Sequence, residues 1–495
     1  MNVYAKVMSS ASTIFALSSG SGKSGVAVIR VSGPAAADVV RLMAKPLPQP
    51  REAVLRAIRD PETSAVLDRA VVLFFASPKS ETGEDIAEFQ VHGGRAVVSA
   101  VLQALGKVPG CRLAEPGEFA RRAFINGRIG LAEVEGLADL IDAETEAQRR
   151  QALAQASGAL SRVYEGWRAR LIEIAALTEA AIDFADEGDV GGKSLLAARE
   201  RALPLLAEMR AHMNDGRRGE ILRDGFRVAL LGAPNAGKSS LLNALAEREA
   251  AIVSEEAGTT RDVIEVRLDL GGYPVIVSDT AGLRDAEGAI EQEGMRRSLA
   301  AARAADLVLW LTGPDDELPP DSIPDQVSRE TTDDSIWLVR TKIDLAGIPS
   351  PLGERTRVRG GHKFEQAAAP HPNPLPTPST AAWGEGVLAP KRADAVAISS
   401  KSGEGIADLV ARIGAEAAKR LGDQSAAPAL TQARHRANLE AAVAALSDFL
   451  TGEITAAELR AEDLRRSSHA LGRITGRVDV EDILGQIFSR FCIGK

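Results

Sequence analysis

The residues most able to do chemistry form a phosphate-binding pattern, G-x-x-x-x-G-K-S, that runs from Gly232 to Ser239. An apolar run over 226–231 precedes this pattern, and a helix-favouring run follows it. Glycines allow backbone N–H groups to turn toward a phosphate, and a helix N-terminus attracts its negative charge. Lys238 reaches the β- and γ-phosphates, and Ser239 binds Mg²⁺. The pattern in this context predicts a nucleoside triphosphate site.

Two later segments have the order and spacing of GTPase switch elements. The segment 258–262, G-T-T-R-D, offers the Thr260 hydroxyl as a second Mg²⁺ ligand. The run D-T-A-G begins at Asp279, which ends a predicted strand near the metal, and it brings the Gly282 N–H to the γ-phosphate. Each segment alone is weak evidence, but together with the phosphate loop they favour GTP over ATP.

The predicted base pocket selects guanine. Asp344, in the run T-K-I-D, is placed to accept both N–H groups of the guanine N1/N2 edge, and the run S-S-K from Ser399 closes the pocket. Thr341 stands where Asn is usual in this motif. We expect that replacement to weaken the tether to the phosphate loop and the nucleotide affinity, while Asp344 keeps the base specificity.

Hydrolysis is predicted to need help from outside the switch. Leu283 follows D-T-A-G at the position where Ras-like proteins carry a water-orienting Gln. A leucine cannot orient a water molecule, so the help must come from elsewhere in the chain, from a cation or from another protomer. The acidic segment 285–293 offers candidates, with a solvated switch surface as the alternative.

The composition is that of an ordinary globular protein. A length of 495 residues predicts about three domains, and the net charge of −9 argues against a simple basic nucleic-acid binder without excluding a local patch. The two cysteines, Cys111 and Cys492, form no disulfide framework and favour a reducing compartment. We find no apolar run of membrane-spanning length and no signal peptide, so we predict a cytoplasmic protein with no membrane contact.

The elements that must position these residues fall into distinct regions. Residues 1–128 mix β-rich runs with helical stretches, and 131–185 reads as long amphipathic helices. More helix follows over 195–222, where Pro204 predicts a break or a helix start. The region 226–418 alternates strands with helices, as in a parallel α/β sheet. Strands are predicted over 226–231, 262–270, 273–279, 306–311, 335–341 and 395–399.

Three details complete the predicted organisation. Gly271 and Gly272 predict a tight hairpin between the second and third strands of this region. The helical run 429–491 is small for a core of its own, so we predict one helical domain interrupted by an inserted domain. The Pro- and Gly-rich segment 346–394 is predicted to be a disordered insertion, with a polyproline ligand as the alternative.

These motifs resemble a known family. Asn235 in the phosphate loop, the 258–262 segment and the D-T-A-G-L-R run resemble the TrmE–Era–Der group of GTPases. The segment 116–128, P-G-E-F-A-R-R-A-F-I-N-G-R, and the terminal F-C-I-G-K over 491–495 resemble the MnmE (TrmE) family of tRNA modification GTPases. The likeness covers essentially the whole chain except 346–394.

The resemblance implies a multidomain α/β fold in which a Ras-like P-loop GTPase domain is inserted into an α-helical domain. An α+β N-terminal domain that binds folate and forms a homodimer precedes both. The implied domains are 1–128 (N-terminal), 129–224 (helical, first part), 225–418 (GTPase) and 419–495 (helical, second part).

The implied function is that of a K⁺-stimulated GTPase in a complex with an FAD-containing partner, MnmG (GidA). The complex adds a carboxymethylaminomethyl- or aminomethyl-type group to C5 of the wobble uridine, U34, of tRNA. The one-carbon unit comes from 5-formyl- or methylene-tetrahydrofolate. The implied cofactors are therefore GTP, Mg²⁺, K⁺ and a folate.

The resemblance also assigns residues. Mg²⁺ is held by Ser239 and Thr260. Potassium ligands are Asn235, Ser254, Glu256 and Thr259. The whole GTP-binding set is Asn235, Ala236, Gly237, Lys238, Ser239, Ser240, Ser254, Glu255, Glu256, Ala257, Gly258, Thr259, Thr260, Asp279, Thr280, Ala281, Gly282, Thr341, Lys342, Ile343, Asp344, Ser399, Ser400 and Lys401.

The remaining assignments are catalytic and folate-binding. Glu291 resembles the acid that positions the attacking water. Cys492 is a nucleophile or positioning group in the one-carbon transfer, with an inert thiol at a docked C-terminus as an equal alternative. The folate-binding residues are Arg30, Glu88, Arg128 and Lys495.

Two other functions compete with this one. A regulatory or ribosome-assembly GTPase of the Era or Der type needs a basic RNA-binding domain or a second G domain after the first, and the sequence has neither. A pure folate-binding scaffold conflicts with the intact GTPase motifs.

Overall fold

The structure is a computed structural model of the chain. It describes residues 12–183, 190–215, 217–233, 235–248, 251–252, 264–279, 299–314, 327, 335–345, 395–422, 429–453, 456–478, 481–488, 491 and 494. The chain divides into two units, one formed by Met1–Arg223 with Leu421–Lys495 and the other by Asp224–Arg420.

The secondary structure is mixed. Strands β1 to β12 span Thr13–Leu17, Ser24–Ser32, Val54–Arg59, Val66–Phe75, Ile86–Gly93, Cys111–Leu113, Phe226–Gly232, Ile264–Leu270, Tyr273–Asp279, Leu307–Thr312, Ile336–Arg340 and Val396–Ala397. Helices α1 to α13 span Ala36–Met43, Arg95–Gly106, Glu118–Ile125, Leu131–Ile141, Glu146–Ala156, Ala159–Asp183, Val190–Met213, Arg218–Asp224, Lys238–Ala246, Ile406–Leu421, Ala433–Thr451, Ala457–Thr475 and Glu481–Phe488. Among the described residues, none of these helices is both long and apolar enough to cross a membrane.

The first unit begins with a six-stranded sheet in the order β3-β4-β5-β2-β1-β6, antiparallel except for the β1–β6 pair. Side chains alternate between the two faces of β2, since a strand has a period of two. Ala27, Ile29 and Val31 are buried in a core with α1 and α2, whereas Arg30 lies on the opposite face. The predicted α+β fold of this region is confirmed.

A single core joins helices that lie far apart in the sequence. Tyr164 and Trp167 of α6 are buried with Leu205 of α7, Leu439 of α11 and Leu471 of α12. The two helical segments therefore fold as one domain, and the α/β domain is inserted between them, as predicted.

Pro204 was predicted to mark a break or a helix start, and that prediction is wrong. Pro204 lies inside α7, which continues from Val190 to Met213. The neighbouring Ala202 and Leu205 are fully buried in the helical core. Packing of this face therefore outweighs the roughly 3 kcal/mol that a proline costs within a helix.

A buried ion cluster links α4 to α11. His435, fully buried, donates from Nε2 to Glu135 Oε2 at 2.8 Å, and Arg434 donates to the other carboxylate oxygen. Burial alone would raise the pKa of Glu135, but the positive charges and hydrogen bonds of His435 and Arg434 lower it to about 2. Burial lowers the pKa of His435.

The second unit contains a six-stranded sheet in the order β12-β11-β10-β7-β9-β8, parallel except for β8. The predicted strand over 273–279 is confirmed, that over 226–231 is one residue longer, and that over 262–270 is confirmed from residue 264, where the described part begins. The strands predicted over 306–311, 335–341 and 395–399 differ by one or two residues at their ends. Gly271 and Gly272 have positive φ angles of 67° and 89°, which confirms the predicted tight hairpin between β8 and β9.

The beginning and the end of this inserted unit lie side by side. Arg420, near the end of α10, places its guanidinium 5.9 Å from the centroid of the Phe226 ring in β7. It also donates to the carbonyl oxygen of Asp306 at 2.8 Å. The first strand and the last helix of the unit are therefore adjacent.

Candidate functional site

The phosphate loop connects β7 to α9. Gly232 ends the strand with φ 145°, and a Cβ atom there would lie 2.3 Å from the carbonyl oxygen of Leu311. Only glycine fits this contact. Asn235 adopts the left-handed region with φ 63°, which Asn tolerates better than most residues. Gly237, with φ 92°, precedes the first residue of α9.

The charged and hydroxyl groups of the loop converge. The Lys238 ammonium donates to the carbonyl oxygens of Gly232 at 2.9 Å and Ala233 at 2.8 Å. Ser239 Oγ donates to Asp279 Oδ2 at 2.7 Å, and Asp279 is buried at the end of β9. A hydroxyl and a carboxylate oxygen in contact are the hard ligands that Mg²⁺ prefers, so the donor set fits that ion.

The residues predicted to bind guanine also lie together, after the ends of β11 and β12. Ile343 to Leu345 form a single 3₁₀ turn, and the fully buried Ser399 donates from Oγ to Asp344 Oδ1 at 2.7 Å. The Ser399 Oγ accepts in turn from the Ser402 N–H at 3.1 Å. Because one carboxylate oxygen is held, the orientation of Asp344 is fixed before a base arrives.

Thr341 does contact the phosphate loop, and the expected loss of nucleotide affinity stays a prediction. The Thr341 hydroxyl is buried and lies 2.6 Å from the carbonyl oxygen of Ala236 in the phosphate loop, to which it donates. It also lies 3.2 Å from the carbonyl oxygen of Thr312. The threonine side chain therefore ties this segment to the phosphate loop.

Many predicted residues lie outside the described part of the chain. These are the switch residues Ser254, Glu255, Glu256, Ala257, Gly258, Thr259, Thr260, Thr280, Ala281, Gly282 and Leu283, the catalytic candidates Glu291 and Cys492, the folate candidate Lys495, and the insertion 346–394. Ser240, Lys342, Ser400 and Lys401 are described, and they lie in the phosphate loop helix and the base-pocket loops.

The N-terminal unit brings two of the folate candidates into contact. Arg30 and Glu88 are cross-strand neighbours on β2 and β5, and Arg30 Nε donates to Glu88 Oε1 at 3.0 Å. Arg30 also pairs with Glu81 at 2.7 Å and lies 5.8 Å from the centroid of the Phe119 ring. Arg128 is exposed and makes no ion pair with any residue that the structure describes, but its side chain packs close to Gly83.

The motif P-G-E-F-A-R-R has a structural role that sequence reasoning missed. Glu118 is almost fully buried and pairs with Arg112 and with Arg122, which in turn reaches Glu84 at 2.9 Å. Burial alone would raise the pKa of Glu118, but the hydrogen bonds, led by that from Arg112, lower it to about 2. This ion cluster fixes α3 to the sheet.

The C-terminal segment is anchored at three described residues. Gly117 has φ 65°, and a Cβ atom there would lie 2.6 Å from the carbonyl oxygen of Phe488 in α13. Phe491 is buried against Phe488, and Ser18 Oγ donates to the carbonyl oxygen of Gly494 at 2.7 Å. Ser18 directly follows β1, whose Ala16 faces Arg30 across the strand pair. The glycine before Glu118 was the one sequence signal for this docking.

Two family models match the chain. The model described as the GTP-binding protein TrmE N-terminus matches residues 13–128, and the model described as the MnmE helical domain matches residues 131–492.

Curated relatives match almost the full length. The tRNA modification GTPase MnmE of Parvibaculum lavamentivorans is 50% identical over 489 residues, which are 98% of this chain and 100% of that protein. The protein of the same name from Rhodopseudomonas palustris strain BisB5 is 48% identical, over 98% of this chain and 99% of its own. Among solved structures, the G domain of the T. maritima FeoB iron transporter aligns at 22% identity and a TM-score of 0.22, over 39% of this chain and 98% of that one.

Proposed function

The chain belongs to the MnmE family of tRNA modification GTPases, and we propose that it acts on the wobble uridine U34 of tRNA. In this proposal it hydrolyses GTP within a complex that adds an aminomethyl-type or carboxymethylaminomethyl group to C5 of that base. The observation that carries the proposal is the pairing of a formed guanine-nucleotide site with near full-length similarity to MnmE proteins.

We propose that Ser239, with Thr260, holds Mg²⁺, and that Lys238 binds the β- and γ-phosphates. The contact between Ser239 Oγ and Asp279 supports the first role, because it places two oxygen ligands together. Mg²⁺, when bound, would neutralise charge on the phosphates during hydrolysis. The hydrogen bond from the buried Ser399 to Asp344 supports recognition of guanine.

Water activation is assigned to Glu291 and potassium binding to Asn235, Ser254, Glu256 and Thr259. The exposure of Asn235 in the phosphate loop supports the potassium role, since it leaves the side chain accessible to an ion. Because no glutamine follows D-T-A-G to orient the attacking water, hydrolysis needs another group, and a bound cation can supply the missing positive charge.

The N-terminal unit is proposed to bind 5-formyl- or methylene-tetrahydrofolate through Arg30, Glu88, Arg128 and Lys495, and to form a homodimer. Glu88 offers a carboxylate to the N–H groups of a pterin, and Arg30 and Arg128 offer cations to the glutamate tail. The docking of Gly494 beside β1 supports a contribution from the adjacent Lys495 and Cys492 to the same site. The proposed partner is the FAD protein MnmG.

The test is mass spectrometry of nucleosides from tRNA of a strain that lacks the gene. We expect the C5 modifications of U34 to disappear, wild type to restore them, and Lys238→Ala not to. Complementation by Cys492→Ser then tests the thiol: restored modification shows that it is inert, and lost modification shows that it takes part in the one-carbon transfer. Unaltered wobble uridines in the deletion strain would refute the proposal, and failure of the chain to co-purify with the FAD protein would refute the partner.

A further inference from the structure

A large cavity in the first unit shares one residue, Arg128, with the proposed folate site. It has a volume of about 1400 Å³, and it lies between the 115–130 segment, the first turns of α4 and α6, and residues 475–488. Arg30 and Glu88 do not line it. Small-molecule pockets usually measure ~300–1,000 Å³, so this cavity has room for more than one cofactor-sized group.

Two guanidinium groups at the cavity wall are available for a ligand. Arg121 and Arg128 line the cavity, and within the described chain neither side chain makes a hydrogen bond or an ion pair. Two other lining arginines are engaged, Arg162 with the Ser157 carbonyl oxygen at 2.8 Å and Arg477 with Glu165 at 2.6 Å. Free guanidinium groups bind phosphate oxygens in a bidentate manner.

The same wall offers a buried acceptor and apolar rings. Glu133 Oε2 is buried and has no hydrogen-bond partner within the described chain, so a ligand that satisfies it must present an N–H or O–H donor. Phe124 and Phe488 line the cavity beside it. Unstacked RNA bases pack on aromatic and guanidinium planes and present ring and amino N–H groups at their edges.

Together these groups match a heterocycle with N–H donors that is joined to an anion. We propose that the cavity receives an unstacked nucleotide of the tRNA substrate, with its base against Phe124 and Glu133 and its phosphate at Arg121 and Arg128. This site rests on the proposed function. A folate combines a similar heterocycle with carboxylates, so the test must separate the two ligands.

The experiment uses the full chain and a fluorescein-labelled 17-nucleotide anticodon stem-loop with unmodified U34. Affinity is measured by anisotropy over a range of KCl concentrations. Arg121→Ala should raise the Kd about tenfold and reduce the salt slope by about one. Glu133→Gln should raise the Kd at an unchanged slope, because it alters a base contact and no phosphate contact. Arg121→Lys should fall between wild type and Arg121→Ala.

The matched control is Arg168→Ala, since Arg168 on α6 is also partly exposed, makes no ion pair within the described chain and does not line the cavity. It should stay within twofold of wild type for RNA. All variants should keep wild-type affinity for 5-formyl-tetrahydrofolate, and an unchanged GTPase rate and Tm will show that they fold.

Three outcomes overturn the assignment. If Arg121→Ala binds RNA as wild type does, the cavity is not the RNA site, while the proposed function stands. If Arg121→Ala and Glu133→Gln lose folate affinity and keep RNA affinity, the cavity belongs to the folate. If the wild-type chain binds no RNA, the cavity assignment is wrong. The proposed function is tested separately, by mass spectrometry of U34 in tRNA from the deletion strain.

Discussion

The Thr341 hydroxyl donates to the carbonyl oxygen of Ala236 at 2.6 Å, and it thereby ties the guanine-binding loop to the phosphate loop. Both groups are buried, so the bond is shielded from water and its loss leaves an unsatisfied carbonyl. The two halves of the nucleotide site are thus joined by one side chain.

Thr341→Val should weaken nucleotide binding. It preserves the shape of the side chain and removes the hydroxyl, so we expect a loss of about 1 kcal/mol, or roughly fivefold in the Kd for a fluorescent GDP analogue. Thr341→Ser keeps the donor and is the control. Equal affinities for Thr341→Val and wild type would show that the tether does not contribute to binding.

Asp344→Asn should change the base specificity. The asparagine amide replaces one acceptor oxygen of the carboxylate by an NH2 donor group. This donor mismatches the N–H groups of the guanine N1/N2 edge and suits the carbonyl at position 2 of xanthine. We expect GTP affinity to fall by about 100-fold and XTP to be bound more tightly than GTP. Competition binding with the two triphosphates measures the ratio, and an unchanged preference for GTP would contradict the assigned pocket.

Asn235→Gly should remove the potassium response. Glycine accepts the φ of 63° without strain, so this variant removes the side-chain oxygen while the loop conformation is kept. Wild-type GTPase activity should be higher in K⁺ than in Na⁺ at matched ionic strength, and the variant should lose about tenfold in K⁺. Asn235→Asp, which keeps an oxygen, should retain part of the response. Equal wild-type rates in both salts would contradict the role of Asn235.

Glu135→Gln should destabilise the helical domain and change its pH dependence. The folded pKa of about 2 lies below the value of 4.5 that is usual for a glutamate, so the ionised carboxylate stabilises the fold above pH ~4.5, and this contribution is lost as the pH falls toward 2. Breaking the buried pair should cost about 3 kcal/mol at pH 7 and clearly less at pH 3. Urea unfolding at both pH values measures this difference.

The control is Glu440, which is exposed on α11 and makes no ion pair within the described chain. Glu440→Gln should change stability by less than about 0.5 kcal/mol at either pH. A loss from Glu135→Gln that is equal at pH 7 and pH 3 would mean that packing, and not charge, accounts for it.

Gly117→Ala should release the C-terminal segment. Alanine at φ 65° costs about 1 kcal/mol anywhere, but here its Cβ would also meet the Phe488 carbonyl at 2.6 Å. Gly110→Ala is the matched control, since Gly110 has φ 79° and open space around it. We expect faster proteolysis near Phe488 only in Gly117→Ala, with an unchanged GTPase rate. Similar cleavage of both variants would argue that the contact does not hold α13.

Local patterns predicted the elements of the nucleotide site well. The apolar run before Gly232 and the glycine pair at 271–272 depend only on neighbouring residues, so they could be interpreted without the rest of the chain. Pro204 failed because its local preference competes with the buried face of α7, which is defined by residues far away in the sequence.

The long-range contacts were beyond prediction for the same reason. Glu135 and His435 are separated by 300 residues, and Ser18 and Gly494 by 476. Nothing in a single sequence marks such charges or hydroxyls as partners. The hydrogen bond from Thr341 to Ala236 is likewise a contact over 105 residues that no local pattern marks.

The contact between Arg420 and the Phe226 ring bears on how such a chain is assembled. When the first strand and the last helix of an inserted unit are neighbours, the two points where the unit joins the rest of the chain are close in space. In the first unit, Arg218 also packs next to Gly422. Closing a short loop costs little entropy, so the inserted unit can be removed and the two parts of the first unit joined by a few glycines. Each piece then offers a separate specimen for calorimetry.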